Sequence, residues 1–345
     1  MALRAGAFDG TAEDWDALVR AHPGATFSHQ HRWLQMVQAV YGGDPHYLAA
    51  WEDDQLVGVL PTMLRRVIGS GRVLLSVPFA DEGGLCANGD EAEQALLASV
   101  EALARDLRVS FVELRQLTPL SAANMLCDTS RVVLRMPLPS AAEELSRNLS
   151  SNMRKKLRRA GRDGLTCQVG GQEQVRAFYR VYSHNMRDLG SPMHSRRFFE
   201  ALFTEFPGAA LTVLVTLGST VVGAAVAVQF RDTLTVLCAH SLRSYHKLFP
   251  SNLLYWRLLE VAIERGCSLV DFGRSPRGSG IYEFKKLWGM EDCPLYRQFL
   301  PVLGTPKLGE GRDSFAHRAF ALLWRKVPVG LATALGPPIF SRLPI

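Results

Sequence analysis

At 345 residues the chain exceeds one typical core and predicts two domains. Hydrophobic residues at 47% and charged residues at 21% are ordinary for a globular protein, and the formal charge of +6, unevenly placed, points to an acidic partner. Met1 to Gly6 lacks the apolar core of a signal peptide and no apolar run reaches the length of a membrane span, so a cytoplasmic protein is expected.

Six cysteines (Cys86, Cys127, Cys167, Cys238, Cys267 and Cys293) show no Cys-x-x-Cys spacing, and several lie in apolar runs. They read as reduced, buried thiols. No two Cys or His residues have zinc-ligand spacing, so no metal is expected. His29 and His31 read as a surface pair.

Residues 12–20 suit a helix stopped at His22-Pro23-Gly24. A second helix runs from Arg32 to about Val40, with Trp33, Met36, Val37 and Val40 on one face. His46–Trp51 and Gln55–Met63 read as a hairpin around Glu52-Asp53-Asp54, Val73–Val77 as a strand, Glu91–Leu107 as a helix and Ser110–Arg115 as a strand. The second half repeats the plan. Leu211–Leu217 and Val221–Phe230 pair around Gly218-Ser219, followed by a strand at Thr233–Ala239. A helix then runs from Pro250 to Gly266, with Leu254, Leu258, Val261 and Ala262 facing the core, and a last strand closes at Asp271. Leu56-Val57-Gly58 occupies the place of Val221-Val222-Gly223, which indicates an internal duplication of one mixed α/β module. The expected domains are residues 1–142 and 164–302, joined by a basic helix at 143–163 and followed by a tail at 303–345.

The joining segment carries Arg147, Arg154, Lys155, Lys156, Arg158, Arg159 and Arg162. It reads equally as a solvated interdomain helix or as an electrostatic site for the phosphates of a nucleotide-linked substrate, a tRNA or an anionic lipid surface. Helices are also expected at Val175–Arg187 and Ser195–Phe203. The tail, with Trp324, Arg325, Lys326 and two apolar runs, reads as an amphipathic segment on a membrane surface or as a helix packed across the domains.

Residues 271–289 concentrate the chemistry. A buried strand ends at Asp271; Gly273, Pro276, Gly278 and Gly280 then predict irregular backbone with open N–H groups. Tyr282, Phe284, Lys285, Lys286 and Trp288 follow. Cationic and polar groups just past a strand's carboxyl end suit an anion or acyl site. A solvated connector is the plainer reading, but it does not account for the interleaved aromatics.

Arg154–Ala160, Asn185–Pro192, Pro250–Trp256, Asp271–Ser275 and Phe284–Gly289, with Pro78–Gly84 and Val112–Arg115 in the first half, resemble the FemAB-like members of the GNAT superfamily, in particular the group associated with exosortase and exopolysaccharide gene clusters. The resemblance implies an α/β (α+β) fold of two tandem GNAT-like domains, each a mixed, mostly antiparallel sheet flanked by helices. It implies transfer of an acyl or aminoacyl group to an amine of a cell-envelope or exopolysaccharide precursor. Fem peptidyltransferases take the group from aminoacyl-tRNA; acyl-CoA and acyl-carrier-protein thioesters are the other candidate donors. Coenzyme-A-dependent relatives wrap the pyrophosphate in a Gln/Arg-x-x-Gly-x-Gly/Ala turn, whereas Ser241–Ser251 holds no glycine. That departure weighs against acyl-CoA bound in the usual manner and leaves Arg243 and Lys247 to hold phosphate by side chains.

For catalysis, Lys286 or Lys285 is expected to stabilise the oxyanion, with Lys286 preferred, because the family's catalytic-site lysine lies in a comparable Phe-Lys segment. Such a donor is worth about 3–4 kcal/mol of barrier. Asp271 is the candidate proton acceptor or relay, with a loop-capping carboxylate or an Arg274 ion pair as the plainer alternative. Arg274 suits bidentate binding of a carboxylate or phosphate. Tyr282 and Trp288 would wall the site, Asp188 and Arg187 would reach it from the preceding loop, and Gly273, Ser275, Asn252, Glu113 and Arg115 complete the substrate-binding set that the resemblance implies. His240 and His246 are further possible bases. A non-catalytic scaffold of a polysaccharide complex and a basic RNA- or membrane-binding module are the competing functions.

Overall fold

The structure, a computed structural model, describes residues 3–121, 124–306, 308 and 315–343. They fall into two compact units, one from residues 1–132, 293–311 and 341–345 and the other from 133–292 and 312–340.

The first unit contains, in chain order, β1 (Leu3–Ala7), α1 (Ala12–Ala21), α2 (His31–Tyr41), β2 (Asp44–Glu52), β3 (Gln55–Val67), β4 (Gly71–Ser76), β5 (Cys86–Ala87), α3 (Asp90–Asp106), β6 (Phe111–Gln116) and β7 (Leu126–Asp128). Thr11 caps α1 by accepting from the Asp14 N–H, and Asp14 accepts in return from the Thr11 N–H. Ala92, Leu96, Val100 and Ala104 recur every four residues along α3, so a single stripe packs on Leu48, Leu60, Leu74 and Val112 of the sheet.

The second unit follows with β8 (Arg131–Pro137), α4 (Ala142–Asn148), α5 (Ser151–Arg162), β9 (Leu165–Gly170), α6 (Val175–Leu189), α7 (Arg196–Glu205), β10 (Ala210–Leu217), β11 (Thr220–Phe230), β12 (Thr233–Ser241), α8 (Pro250–Glu264), β13 (Leu269–Pro276), α9 (Gly280–Lys286) and β14 (Glu291–Pro294). The chain then adds β15 (Tyr296–Pro301), α10 (Phe315–Trp324) and α11 (Val329–Phe340). One sheet is ordered β1-β2-β3-β4-β6-β15-β7 with β5 on β3, and the other β14-β8-β13-β12-β11-β10-β9. Two of the strands that no expected element covers also cross the expected domain bounds of 1–142 and 164–302. β8 joins the second sheet, and β15 pairs antiparallel with β6 in the first.

The duplication is present down to its irregularities. Each copy is a hairpin, a strand, a helix and a strand returning parallel: Leu74 and Leu75 register with Val112 and Glu113, and Thr233 to Thr235 with Leu269 to Asp271. Both hairpins carry a bulge at the same place, where Ala50 faces Gly58 and Trp51 faces Leu56, and where Val215 faces Gly223 and Thr216 faces Val221. A Cβ on Gly58 would meet Leu96 of α3 at 2.9 Å, and one on Gly223 would meet Pro250 of α8 at 3.6 Å, so both glycines lie beneath the crossing helix.

The chain departs from expectation beyond Asp271. Strand structure continues to Pro276 and helix begins at Gly280, where irregular backbone is predicted. Gly273 absorbs the conflict with φ of +68°, a bulge-like kink that lets the strand go on. Ser279 then caps α9 by accepting from the Tyr282 N–H.

Candidate functional site

The pairing of β12 with β13 is short. It covers Thr233–Thr235 and Leu269–Asp271, whereas β12 stays paired with β11 as far as Ser241 and β13 runs on to Pro276. Past Asp271 the two strands diverge and their facing edges lose the ladder. The result is a notch at the carboxyl ends of two parallel strands, the place where open α/β sheets take ligands. Leu237, Cys238, Ala239 and His240 are only half-buried there, although β12 is an interior strand.

Adjacent residues on one lip of the notch project to opposite faces of the sheet. His240 meets α6: its Nδ1 lies 2.8 Å from Asn185 Oδ1, and its ring stands edge-on to Tyr182 at 5.1 Å. Asn185 Nδ2 donates to the Ser241 carbonyl at 3.0 Å, which fixes the amide with its oxygen toward the imidazole. Nδ1 therefore carries the proton and Nε2 the lone pair. Burial lowers the His240 pKa to about 4, so the ring is neutral at physiological pH. Nε2 makes no hydrogen bond among the described residues. Ser241 faces α8, with its hydroxyl 2.8 Å from Ser251 Oγ and 3.1 Å from His246 Nε2.

The other lip is β13. Asp271 is buried, and both its oxygens are engaged: Oδ2 accepts from Arg135 Nε at 2.9 Å and Oδ1 from the Gly273 N–H at 2.7 Å. Lys285 is buried as well. Its ammonium donates to the Phe272 carbonyl at 2.5 Å, the Gly273 carbonyl at 3.2 Å and Ser275 Oγ at 3.0 Å. Three donors meet three acceptors, and the kink at Gly273 lets one ammonium reach two successive carbonyls. Phe272 stacks on Tyr255 of α8 at 4.7 Å, and Tyr255 in turn meets Phe284 and Trp288. Burial raises the Tyr255 pKa, keeping its phenol protonated, and its hydroxyl makes no hydrogen bond among the described residues.

Lys286 projects elsewhere. Exposed, it donates to the Met290 carbonyl at 2.8 Å and lies 3.2 Å from Asp292 Oδ1. Tyr282 donates to Asp292 Oδ2 at 2.9 Å and Arg277 approaches the same oxygen at 3.4 Å. Burial acts to raise the Asp292 pKa, but the Tyr282 and Lys286 hydrogen bonds and the nearby cations hold it below the usual carboxylate range.

The expected residues thus divide into groups. Asp271, Gly273, Ser275 and Lys285 form one hydrogen-bonded cluster on β13, with Arg274 in the same strand and Trp288 in the aromatic stack. Lys286 and Tyr282 form a second cluster around Asp292. Arg187 and Asp188 bond to each other at 2.7 Å at the end of α6, and Arg187 also donates to the Val327 carbonyl. Asn252 is buried at the start of α8 with its amide against the Met153 sulfur at 3.0 Å. Glu113 and Arg115 belong to the first unit, where buried Glu113 accepts from Arg115 Nε at 2.8 Å and Arg297 Nε at 3.0 Å. Burial acts to raise the Glu113 pKa, and the two guanidiniums outweigh it and hold it low. Sequence reasoning missed Arg135, the Asn185 contact and Tyr255. Asn185 stands 55 residues from His240 and Arg135 stands 136 from Asp271, separations that no local motif signals.

Between the notch and α8, Arg243–Leu248 forms a 3₁₀ turn. Its N–H groups serve the turn itself, with Tyr245 bonded to Leu242 and Phe249 to His246, and the N–H groups of Asn252 and Leu253 bond to the Phe249 carbonyl. Arg243 and Lys247 are exposed on this turn, while Lys156 and Arg159 of α5 lie 5.8 and 5.4 Å from the centre of the Phe249 ring.

Residues 147–286 match the family model for the acetyltransferase (GNAT) domain, which spans both lips of the notch. No curated protein matches the chain by sequence. Among solved structures it is similar to FemX, with a TM-score of 0.70 at 14% identity, covering 88% of this chain and 98% of that one. It is also similar to the C-terminal domain of a proposed lysylphosphatidylglycerol synthetase from Agrobacterium fabrum (TM-score 0.59, 15% identity, 90% and 94% covered). A tandem GNAT protein from the clavulanic acid biosynthesis pathway gives a TM-score of 0.56 at 12% identity, with 89% and 100% covered. At such identities the likeness is one of fold. The chain thus carries a match to the acetyltransferase (GNAT) domain model at residues 147–286 and shares its fold with FemX and a tandem GNAT protein.

Proposed function

We propose that the notch between β12 and β13 is the site of an N-acyltransferase, which moves an acyl or aminoacyl group from an activated ester or thioester to an amine of a cell-envelope or exopolysaccharide precursor. The observation that carries this reading is a neutral imidazole with a bare Nε2 on the lip of two diverging strands, inside a GNAT domain. The amine nitrogen attacks the carbonyl carbon, the alcohol or thiol leaves, and the nitrogen sheds a proton. His240 Nε2 accepts that proton. Bonding to the carbonyl carbon makes the nitrogen more acidic than the free ammonium, which favours this transfer. Tyr255, whose phenol burial keeps protonated, serves the leaving oxygen or sulfur. Lys285, Asp271 and Arg135 act as positioning residues that hold β13 kinked away from β12.

The occupied N–H groups at the start of α8 favour a donor held by side chains, Arg243 and Lys247 among them, over a pyrophosphate wrapped by backbone. Aminoacyl-tRNA or an acyl-carrier-protein thioester fits this better than acyl-CoA. The envelope acceptor rests on the resemblance to FemAB-like proteins and on the neighbour named for lysylphosphatidylglycerol synthesis. Incubating the purified protein with charged tRNA, acyl-carrier-protein thioesters or acyl-CoA, together with an amino-sugar or peptide acceptor, tests the assignment by mass spectrometry. An amide product is expected with one of the first two donors; stabilisation and product with none would refute the transferase reading.

A further inference from the structure

The end of the chain carries a surface that acyl transfer does not use. From residue 315 to 345 there is no acidic residue, while Arg318, Arg325, Lys326 and Arg342 are all cationic. Over its 12 residues α11 has no charge at all. Both α10 and α11 are seated on α6 by one face. Trp324 and Ala332 are buried, Gly190 at the end of α6 leaves only 2.6 Å between a would-be Cβ and the Ala321 carbonyl, and Gly336 packs on Met193.

The flank beside that seated face is open. Leu323, Leu331 and Leu335 are between 54% and 69% exposed, with Leu322 beside them and Phe320 one turn before Leu323. Leu331 and Leu335 share one face of α11 at a spacing of i and i+4. A seated helix pair has no need of large apolar side chains in water, and such side chains exposed on consecutive helices that also carry cations make an interaction surface. Charge decides the occupant. Two copies of this chain placed face to face would bring the cations of residues 315–345 against one another with no carboxylate from that segment to offset them, whereas an anionic bilayer complements both the apolar side chains and these cations. Among the described residues no helix is long and apolar enough to cross a membrane, so the contact is interfacial.

We propose that α10 and α11 form a docking face for an anionic lipid surface, with Leu323, Leu331 and Leu335 entering the headgroup boundary and Arg325 and Lys326 engaging lipid phosphates. The test is co-sedimentation of the full chain with vesicles of phosphatidylcholine alone or with 30% phosphatidylglycerol, a composition chosen to give roughly physiological surface charge. Binding to the anionic vesicles is expected, weakened at least tenfold by L323Q/L335Q, by R325Q/K326Q and by high salt; on phosphatidylcholine alone it should be at least tenfold weaker. Both pairs of side chains are exposed, and unchanged circular dichroism and melting will show that the variants fold. The proposal is overturned if anionic vesicles are not bound, if L323Q/L335Q binds like the parent, or if only K155Q/R158Q on α5 removes binding. A dimer in light scattering that L323Q/L335Q dissolves would assign the face to self-association and overturn it as well.

Discussion

Asn185 holds His240 in a single tautomer: its amide oxygen accepts from Nδ1 at 2.8 Å while its NH₂ is spent on the Ser241 carbonyl. The ring is kept neutral by burial, with a pKa near 4 against an ordinary value of 6.5. A base whose folded pKa is depressed stabilises the fold above its unfolded value, and that contribution is lost as pH falls from about 6.5 toward 4, here on the order of 1–3 kcal/mol. Nitrogen NMR of labelled histidine should therefore find His240 neutral and protonated on Nδ1 at pH 6. Asn185→Asp, by placing a carboxylate beside the ring, should raise its titration midpoint by one unit or more.

The two adjacent lysines should behave as opposites. Lys285→Met leaves two carbonyls and a hydroxyl of β13 without their shared ammonium, and we expect it to cost about 2–4 kcal/mol, read as a fall in Tm. Lys286→Ala loses an exposed contact with Asp292 and should cost under about 1 kcal/mol. Equal effects of the two substitutions on stability would contradict this division.

Glu113 is the electrostatic centre of the first unit. Glu113→Ala removes the carboxylate shared by two guanidiniums, that of Arg115 fully buried and that of Arg297 left with Asp128, and should cost about 3–5 kcal/mol by thermal denaturation. Its carboxylate pKa is lowered on folding, so its contribution is present above the unfolded value and lost as pH falls through the folded one. Acid should thus weaken both units, the second through His240 and the first through Glu113. A Glu113→Gln variant should show a flatter dependence of Tm on pH below 5 than the parent.

The sequence carries the periodic elements well. The apolar stripe of α8, the paired hairpins and even the matching Gly58 and Gly223 are visible in it, because they depend on local spacing. It does not show which strand enters which sheet: Arg131–Pro137 and Tyr296–Pro301 are short mixed segments whose partners are set by distant pairing. The same holds at the site. Asp271, Lys285 and Trp288 stand out as residue types in an unusual setting, but their spent hydrogen bonds depend on the kink at Gly273 and on Arg135, 136 residues away. His240 has no motif; its chemistry comes from α6 and from the notch.

Asp271 and Arg135 provide a check on the positioning role. Asp271→Asn keeps the acceptor for the Gly273 N–H but removes the charge facing Arg135. Its expected signature is a lower Tm with a changed kcat and an unshifted acid limb of the pH profile. An acid limb that moves with Asp271→Asn would mark Asp271 itself as the titrating base.

The central claim is that His240 takes the proton in an acyl transfer at the notch, and kcat/KM against pH for the parent and His240→Gln tests it most directly. With whichever donor supports turnover, the parent should hold its activity down to about pH 5 as far as the acceptor's own ionisation allows, and His240→Gln should lose about 10²–10⁴-fold at every pH while remaining folded. A folded His240→Gln variant with parental kcat/KM would contradict the account.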